Sequence, residues 1–287
     1  MTTCTQLLAW AQGLGLDRLD AQLLLLHALG RPGTDRAWLL AHDSEVLPDA
    51  LAALYRQLGQ RRASGEPLAY IVGSKEFFGL HLEIDARVLI PRPDTETLVA
   101  WALQILQQAG LPPAPRVLDL GTGSGAIALA LKNACPAWQV SALDASAGAV
   151  AVAAANAKRL GLPLDLQLSH WFEKVTSRFH LIVSNPPYVA DADPHLAALS
   201  HEPAAALTAG PDGLSDIRQI IERSPAHLQP GGWLLLEHGY DQSARVQQLL
   251  LLAGFAQVQG RQDLGGVWRC AGGQWPAESN ASRKTAG

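Results

Sequence analysis

Three short strings hold the residue types that chemistry needs: "DLGTGSGA" at 119–126, "ALD" ending at Asp144, and "SNPPY" at 184–188. In the first, Gly121, Gly123 and Gly125 alternate with Thr122 and Ser124 between an apolar run and a helical one. Glycines let the backbone turn tightly and let a ligand approach it, while a helix N-terminus supplies free N–H groups. Such a loop also occurs at dinucleotide sites. Here it has no P-loop lysine, and Asp119, just before it, is an unhelpful charge beside a polyphosphate. Asp144 follows the loop by about twenty residues, where a carboxylate can accept both hydroxyls of a ribose. It could instead cap the next helix. The glycine loop favours the ribose. A ribose beside carboxylates suits an adenosine compound carrying positive charge, such as S-adenosylmethionine.

The third string runs from an apolar segment straight into Asn185, Pro186, Pro187 and Tyr188. Prolines give up backbone donors and end regular structure, so the bland reading is a strand that stops in a turn. The chemical reading is a rigid pair of acceptors. An amide or exocyclic amine has a delocalised lone pair, and methylating it needs positioning more than a strong base. The Asn185 side-chain oxygen and the Pro186 carbonyl can each accept one N–H of an –NH2 group. Tyr188 offers a flat face to a planar amide or base. Trp171 in "SHWFE" could border an adenine or simply fill the core; His170 beside it could be a ligand or a structural residue.

These residues need elements to hold them. From Arg116 onward, apolar runs with strand character alternate with helical ones: "RVLDL", "SGAIALALKNA", "WQVSALD", "AGAVAVAAANAKRLG", "LDLQLS", "RFHLIVS", "GLSDIRQIIERSPAHL", "GGWLLLEHG", "SARVQQLLLLAG", "AQVQGR" and "GVWRCAG". This alternation predicts a mostly parallel sheet covered on both faces, with ligands beyond the carboxyl ends of the strands. All three strings fall at such ends. Upstream, residues 1 to about 64 read as helices only, with Asp17 as a cap and Gly30 and Pro32 as a stop. "KEFFGLHLEID" predicts a hairpin around Gly79, and "VLIPRPDTE" leads into the helix "TETLVAWALQILQQAG".

The chain has 287 residues, 48% hydrophobic and 17% charged, enough apolar content for a sizeable core. Its net charge of -4 argues against a dedicated nucleic-acid binder. Cys4, Cys135 and Cys270 are too scattered for a disulfide framework or a metal cluster, so a reduced, cytoplasmic setting and no metal are expected. "MTTCTQLLAW" lacks the features of a signal peptide, and no run is long enough to span a membrane.

With "DLGTGSGA", "ALD" and "SNPPY" in order, the chain resembles class I S-adenosylmethionine-dependent methyltransferases that act on amino groups. "NPPY" is common to enzymes modifying adenine, guanine and protein glutamine, so an adenine or guanine N-methyltransferase of DNA or RNA is the alternative. "RLDAQLLLLHALG", "GEPLAYIVGSKEFFGL", "VLIPRPDTETLV" and "GGWLLLEHG" extend the likeness from about residue 18 to 270, and these together are similar to the release factor glutamine methyltransferases, the PrmC/HemK family.

The resemblance implies a Rossmann-like α/β fold with a seven-stranded, mostly parallel sheet. Its expected divisions are a helical substrate-binding domain at 1–65, a β-hairpin linker at 66–93 and a catalytic domain at 94–287. It implies methylation of the side-chain N5 of the GGQ glutamine in peptide chain release factors by S-adenosylmethionine. The donor would touch Gly121, Thr122, Gly123, Ser124 and Gly125, with Asp144 on its ribose, Trp171 near its adenine and Asn185 at its methyl end. Asn185, Pro186, Pro187 and Tyr188 would hold the glutamine amide, with Asn185, Pro186 and Tyr188 catalytic. Arg92 would shape the cleft or pair with Asp94 or Glu96. A monomer with release factors as partners, and neither membrane nor nucleic acid, is expected. Two positions depart from the family: "HWF" stands for "DWF" at His170, and "HEP" for "FEP" at His201. "AGGQW" near the chain's end repeats the acceptor's own motif at Gly272, Gly273 and Gln274, which reads as coincidence in a chain with 26 glycines.

Overall fold

The computed structural model describes residues 2–107 and 111–277, and its backbone parts into two compact units, Met1–Ser74 and Lys75–Gly287. In the first, strand β1 (Thr2–Thr3) leads into helix α1 (Cys4–Gly13), α2 (Arg18–Ala28) and α3 (Arg36–Ala41). Strand β2 (Val46–Leu47), α4 (Asp49–Ala63) and α5 (Leu68–Val72) complete it. Asp17 caps α2 as expected, accepting from the Asp20 N–H at 2.8 Å. Leu7, Leu24, Leu25, Leu26 and Tyr55 form the buried centre, and the Tyr55 hydroxyl donates to the Ala21 carbonyl. The sequence suggested helices only. A two-residue antiparallel ladder, Thr2 opposite Leu47 and Thr3 opposite Val46, is the difference. Elements that short leave no readable period. Helix α5 was also not anticipated.

The second unit opens with the hairpin β3 (Ser74–Phe77) and β4 (Leu80–Glu83). Phe78 and Gly79 carry φ of 49° and 77°, the pair of positive values a tight two-residue turn requires. A 3-10 turn at Pro93–Thr95 precedes α6 (Glu96–Leu106); residues 108–110 of the predicted helix lie outside the described residues. There follow β5 (Arg116–Leu120), α7 (Ala126–Ala134), β6 (Gln139–Asp144), α8 (Ala147–Leu160), β7 (Asp165–Leu168) and β8 (Phe179–Ser184). Then come α9 (Ser215–Arg223), β9 (Leu228–Glu237), α10 (Ser243–Leu252), β10 (Ala256–Gln262) and β11 (Trp268–Gln274).

Seven strands pair in the order β10-β11-β9-β8-β5-β6-β7, with β11 antiparallel to both neighbours and β5 to β9 parallel. Chain direction across the sheet reverses between β5 and β8, which opens a crevice at their carboxyl ends. Central strands are apolar on both faces because helices cover both. Ile182, Leu234 and Leu236 pack with Ile217, Ile220 and Ile221 of α9 and Val246 and Leu250 of α10. Helices α6 and α7 pack together on the opposite face. Among the described residues no helix is long and apolar enough to cross a membrane.

Candidate active site

Leu120, the last residue of β5, enters a loop in which Gly121, Gly123 and Gly125 all have positive φ, at 70°, 56° and 85°. Side chains rarely adopt that conformation, which is why glycine stands at each. The Gly121 and Thr122 N–H groups both donate to the Leu143 carbonyl on β6, tying the loop to the neighbouring strand end. Asp119 works from underneath. It is fully buried, and its Oδ2 accepts from the Thr122 hydroxyl at 2.7 Å and from the Ala128 N–H in the first turn of α7. Burial pushes its pKa up to about 7, against the pull of the Thr122 and Ala128 hydrogen bonds. The acid that looked like a charge facing the ligand is thus a brace for the loop.

Asp144 ends β6 with its carboxylate fixed by two backbone donors, Gly123 N–H on Oδ2 at 2.9 Å and Ser146 N–H on Oδ1 at 2.8 Å. Each oxygen keeps a further lone pair. The cap of α8 is a different residue: Ser146 accepts from the Ala149 N–H. Trp171 adopts φ 42° and lays its ring 3.4 Å from where a Gly121 Cβ would stand; its Nε1 donates to Asp216 Oδ1 at 3.1 Å. His170 is half exposed beside Glu173.

These residues enclose a cavity of about 430 Å³, of the size a nucleoside-like ligand occupies. Gly121, Thr122, Gly123, Ser124, Asp144, Trp171, Asn185 and Pro187 all line it. Gly125 is not among the lining residues. Its place is a packing contact, since a Cβ there would meet Leu129 at 3.0 Å and Ala153 at 3.3 Å. Pro186 and Tyr188 also stand behind the wall. The Tyr188 ring packs against the core, and its hydroxyl donates to Glu237 Oε1 at 3.2 Å, where burial and the Glu237 charge raise its pKa.

Asn185 follows β8 directly. Its Nδ2 donates to Thr95 Oγ1 at 3.2 Å, while its Oδ1 is buried without any hydrogen-bond partner. A bare buried acceptor is costly, and a ligand N–H would relieve it.

The sequence alone left several neighbours unnoticed. Thr95, Arg87, Leu89, Ile127, Pro203 and Asp216 line the cavity as well. Arg92 lines it too, but pairs with Glu202 rather than Asp94 or Glu96. Asp94 is taken by Arg269, and Glu96 accepts from the Phe78 N–H. The buried Glu202 of "HEP" also accepts from the Ile90 N–H at 3.1 Å, so it anchors the "IPRP" segment over the cavity. The terminal "GGQ" is sheet structure. Gly272 and Gly273 sit in β11 opposite Leu235 and Leu234, and the Gln274 amide bonds Gly231 and Gln257.

A glycine loop, a fixed carboxylate and an acceptor corner at successive strand ends of a switch-point sheet define a class I S-adenosylmethionine-dependent methyltransferase. Residues 99–259 match the methyltransferase small domain, and residues 2–73 match the PrmC N-terminal domain. The chain belongs to the release factor glutamine methyltransferase family. It is 48% identical to the release factor glutamine methyltransferase of Bordetella pertussis, covering 90% of this chain and 95% of that one. With the Burkholderia pseudomallei enzyme of the same name it is 48% identical over 91% and 93% of the two chains. Among solved structures, the hMettl16 catalytic domain in complex with MAT2A 3'UTR hairpin 6 has a TM-score of 0.56 at 18% identity. That match covers 78% of this chain and 83% of that one, and it speaks for the fold alone.

Proposed function

We infer that this protein transfers the methyl group of S-adenosylmethionine to the side-chain N5 of the GGQ glutamine in peptide chain release factors. The observation that carries the reading is the Asn185 Oδ1, an orphaned buried acceptor at the cavity wall. A substrate amide has two N–H donors, and Asn185 Oδ1 with the Pro186 carbonyl would take one each. That holds the nitrogen in place and weakens the delocalisation of its lone pair into the carbonyl. As the nitrogen takes the methyl group it becomes cationic and strongly acidic, so its extra proton passes to water without a strong base.

The cavity fits the donor. Asp144 has free lone pairs for two ribose hydroxyls, the Gly121–Ser124 backbone permits close approach, and Leu89, Ile127, Leu143 and Trp171 give the adenine apolar walls. When bound, the donor supplies an electrophilic methyl on a sulfonium. The chain's residues orient the acceptor and exclude water. We assign Gly125 and Tyr188 supporting places behind these contacts, and Pro187 a place beside the amide. The helical part, 1–65, is assigned to binding the factor, 66–93 to linking and 94–287 to catalysis, in a monomer acting in the cytoplasm.

The test is to incubate unmodified release factor with enzyme and donor, digest it and map the product by tandem mass spectrometry. One added methylene on the GGQ glutamine is expected. Modification at any other residue, with that glutamine unchanged, would overturn the assignment.

A further inference from the structure

Two carboxylates line the cavity, Asp144 and Asp216, against two arginines, Arg87 and Arg92. Both arginines are already matched. Arg87 makes two hydrogen bonds to Asp85, and Arg92 pairs with the buried Glu202. His170, the remaining base of the wall, is half exposed and lies 3.6 Å from Glu173. Neither Asp144 nor Asp216 has a lysine or arginine partner among the described residues. The uncompensated charge of the wall is therefore negative, and it favours a cation.

Asp216 stands half-buried in the first turn of α9. A helix dipole favours an acid there, but it does not explain where this side chain goes. Asp216 makes no cap; it turns to the cavity, where Oδ1 accepts from Trp171 Nε1 at 3.1 Å. Oδ2 has no hydrogen-bond partner among the described residues. The indole thus fixes the direction of the carboxylate and leaves one oxygen for a ligand. Burial raises the Asp216 pKa, while the Trp171 bond and the charge of His170 lower it; a ligand cation would act with the latter two.

S-adenosylmethionine runs in the order purine, ribose, sulfonium, methionyl. With the ribose on Asp144 of β6 and the methyl end at Asn185 after β8, that order crosses the sheet from β6 over β5 towards β8. The methionyl group then stands on the β8 side. Helix α9 belongs to this side, since Ile217, next to Asp216, packs with Ile182 of β8 and Leu234 of β9. The sulfonium has no N–H or O–H to donate, so the α-ammonium is the cation that a carboxylate oxygen can hydrogen-bond. We propose that Asp216 binds the α-ammonium of the donor's methionyl group through Oδ2, with Trp171 holding Oδ1. This rests on the reading that the cavity takes S-adenosylmethionine with its ribose on Asp144. It makes the cavity selective for an adenosine that carries an amino-acid tail.

The test is calorimetric affinity of the full chain, wild type and Asp216→Asn, for three ligands. They are S-adenosylhomocysteine, its analogue with hydrogen in place of the α-amino group, and S-inosylhomocysteine, which has oxygen in place of the purine amino group. Asparagine keeps an oxygen for the Trp171 N–H and loses the charge. Wild type should bind S-adenosylhomocysteine roughly tenfold to a hundredfold more tightly than the desamino analogue. In Asp216→Asn that ratio should collapse towards one, with the desamino analogue bound at least as well as by wild type. The S-inosylhomocysteine ratio should stay unchanged. An unchanged desamino ratio in the variant, or equal weakening of all three ligands, would overturn the proposal and leave Asp216 as a prop for Trp171. Collapse of the S-inosylhomocysteine ratio instead would overturn it by giving Asp216 to the purine. Equal wild-type affinity for S-adenosylhomocysteine and the desamino analogue would overturn it even if the variant does not fold. Failure of wild type to bind S-adenosylhomocysteine at all would sink the underlying donor reading, and the proposal with it.

Discussion

The proposed reading gives Asn185 to the methyl acceptor and Asp144 to the donor, so replacing each should have a different effect. Asn185→Ala removes the buried, unpartnered oxygen that we assign to the substrate amide. Turnover should drop on the order of 10²-fold or more, while calorimetric affinity for S-adenosylhomocysteine stays at the wild-type value. Asp144→Ala removes a carboxylate held by Gly123 and Ser146 and left with lone pairs for a ribose. Donor affinity should weaken by roughly tenfold to a hundredfold, as the loss of a charge-assisted hydrogen bond of about 1.5–3 kcal/mol implies. Unchanged affinity would refute the ribose assignment. That both residues line the cavity was legible in the sequence, because a glycine loop, a strand-ending acid and an Asn-Pro-Pro corner each have a chemical reason at the end of a strand. Thr95 was not. Its hydroxyl meets the Asn185 amide at the cavity wall, although positions 95 and 185 lie far apart along the chain.

At the scale of elements, the hairpin and the glycine loop are joined by one side chain of α8. Asn156 is fully buried, accepts from the Glu83 N–H at 2.7 Å, and donates to the Glu83 and Ser124 carbonyls at 3.0 Å each. Removing it takes a partner from three backbone groups, two part-buried ones on Glu83 and the buried Ser124 carbonyl. Asn156→Ala should therefore cost about 3 kcal/mol or more in urea unfolding and weaken donor affinity as well. A loss below about 1 kcal/mol would show that the clamp is not structural. The strands and helices of this unit were predictable to within a few residues, because buried parallel strands are apolar throughout and the helices between them end in glycine or charge. The ladder of Thr2–Thr3 with Val46–Leu47 was not, since its partners are distant and too short to show a period. Of the two readings of Arg92, the place at the cleft holds and the local ion pair fails, for a related reason. Asp94 and Glu96 are near in sequence, but Glu202 is near in space.

For the whole molecule, two buried acids make folding depend on pH. Asp119 and Glu237 are both raised to about 7, so between the ordinary carboxylate range and that value the unfolded chain is ionised while the folded chain keeps its protons. The unfolded state then binds fewer protons, and stability from these groups falls as pH rises through the window. Glu237→Gln removes one of the two. From about pH 4.5 to about pH 7 the variant should gain on wild type, by on the order of 2–3 kcal/mol, in parallel denaturant titrations. A constant difference across that range would mean that Glu237 is ionised throughout.

The central claim is the acceptor, and the direct measurement is methyl transfer from labelled S-adenosylmethionine to a panel of substrates. The panel is an unmodified full-length release factor, the same factor with Gln→Ala in its GGQ motif, and structured RNA and duplex DNA. Label on the wild-type factor alone is the expected result. Label on nucleic acid with none on the factor would contradict the account, leaving Asn185 as an amine-holding acceptor but for a base rather than a glutamine.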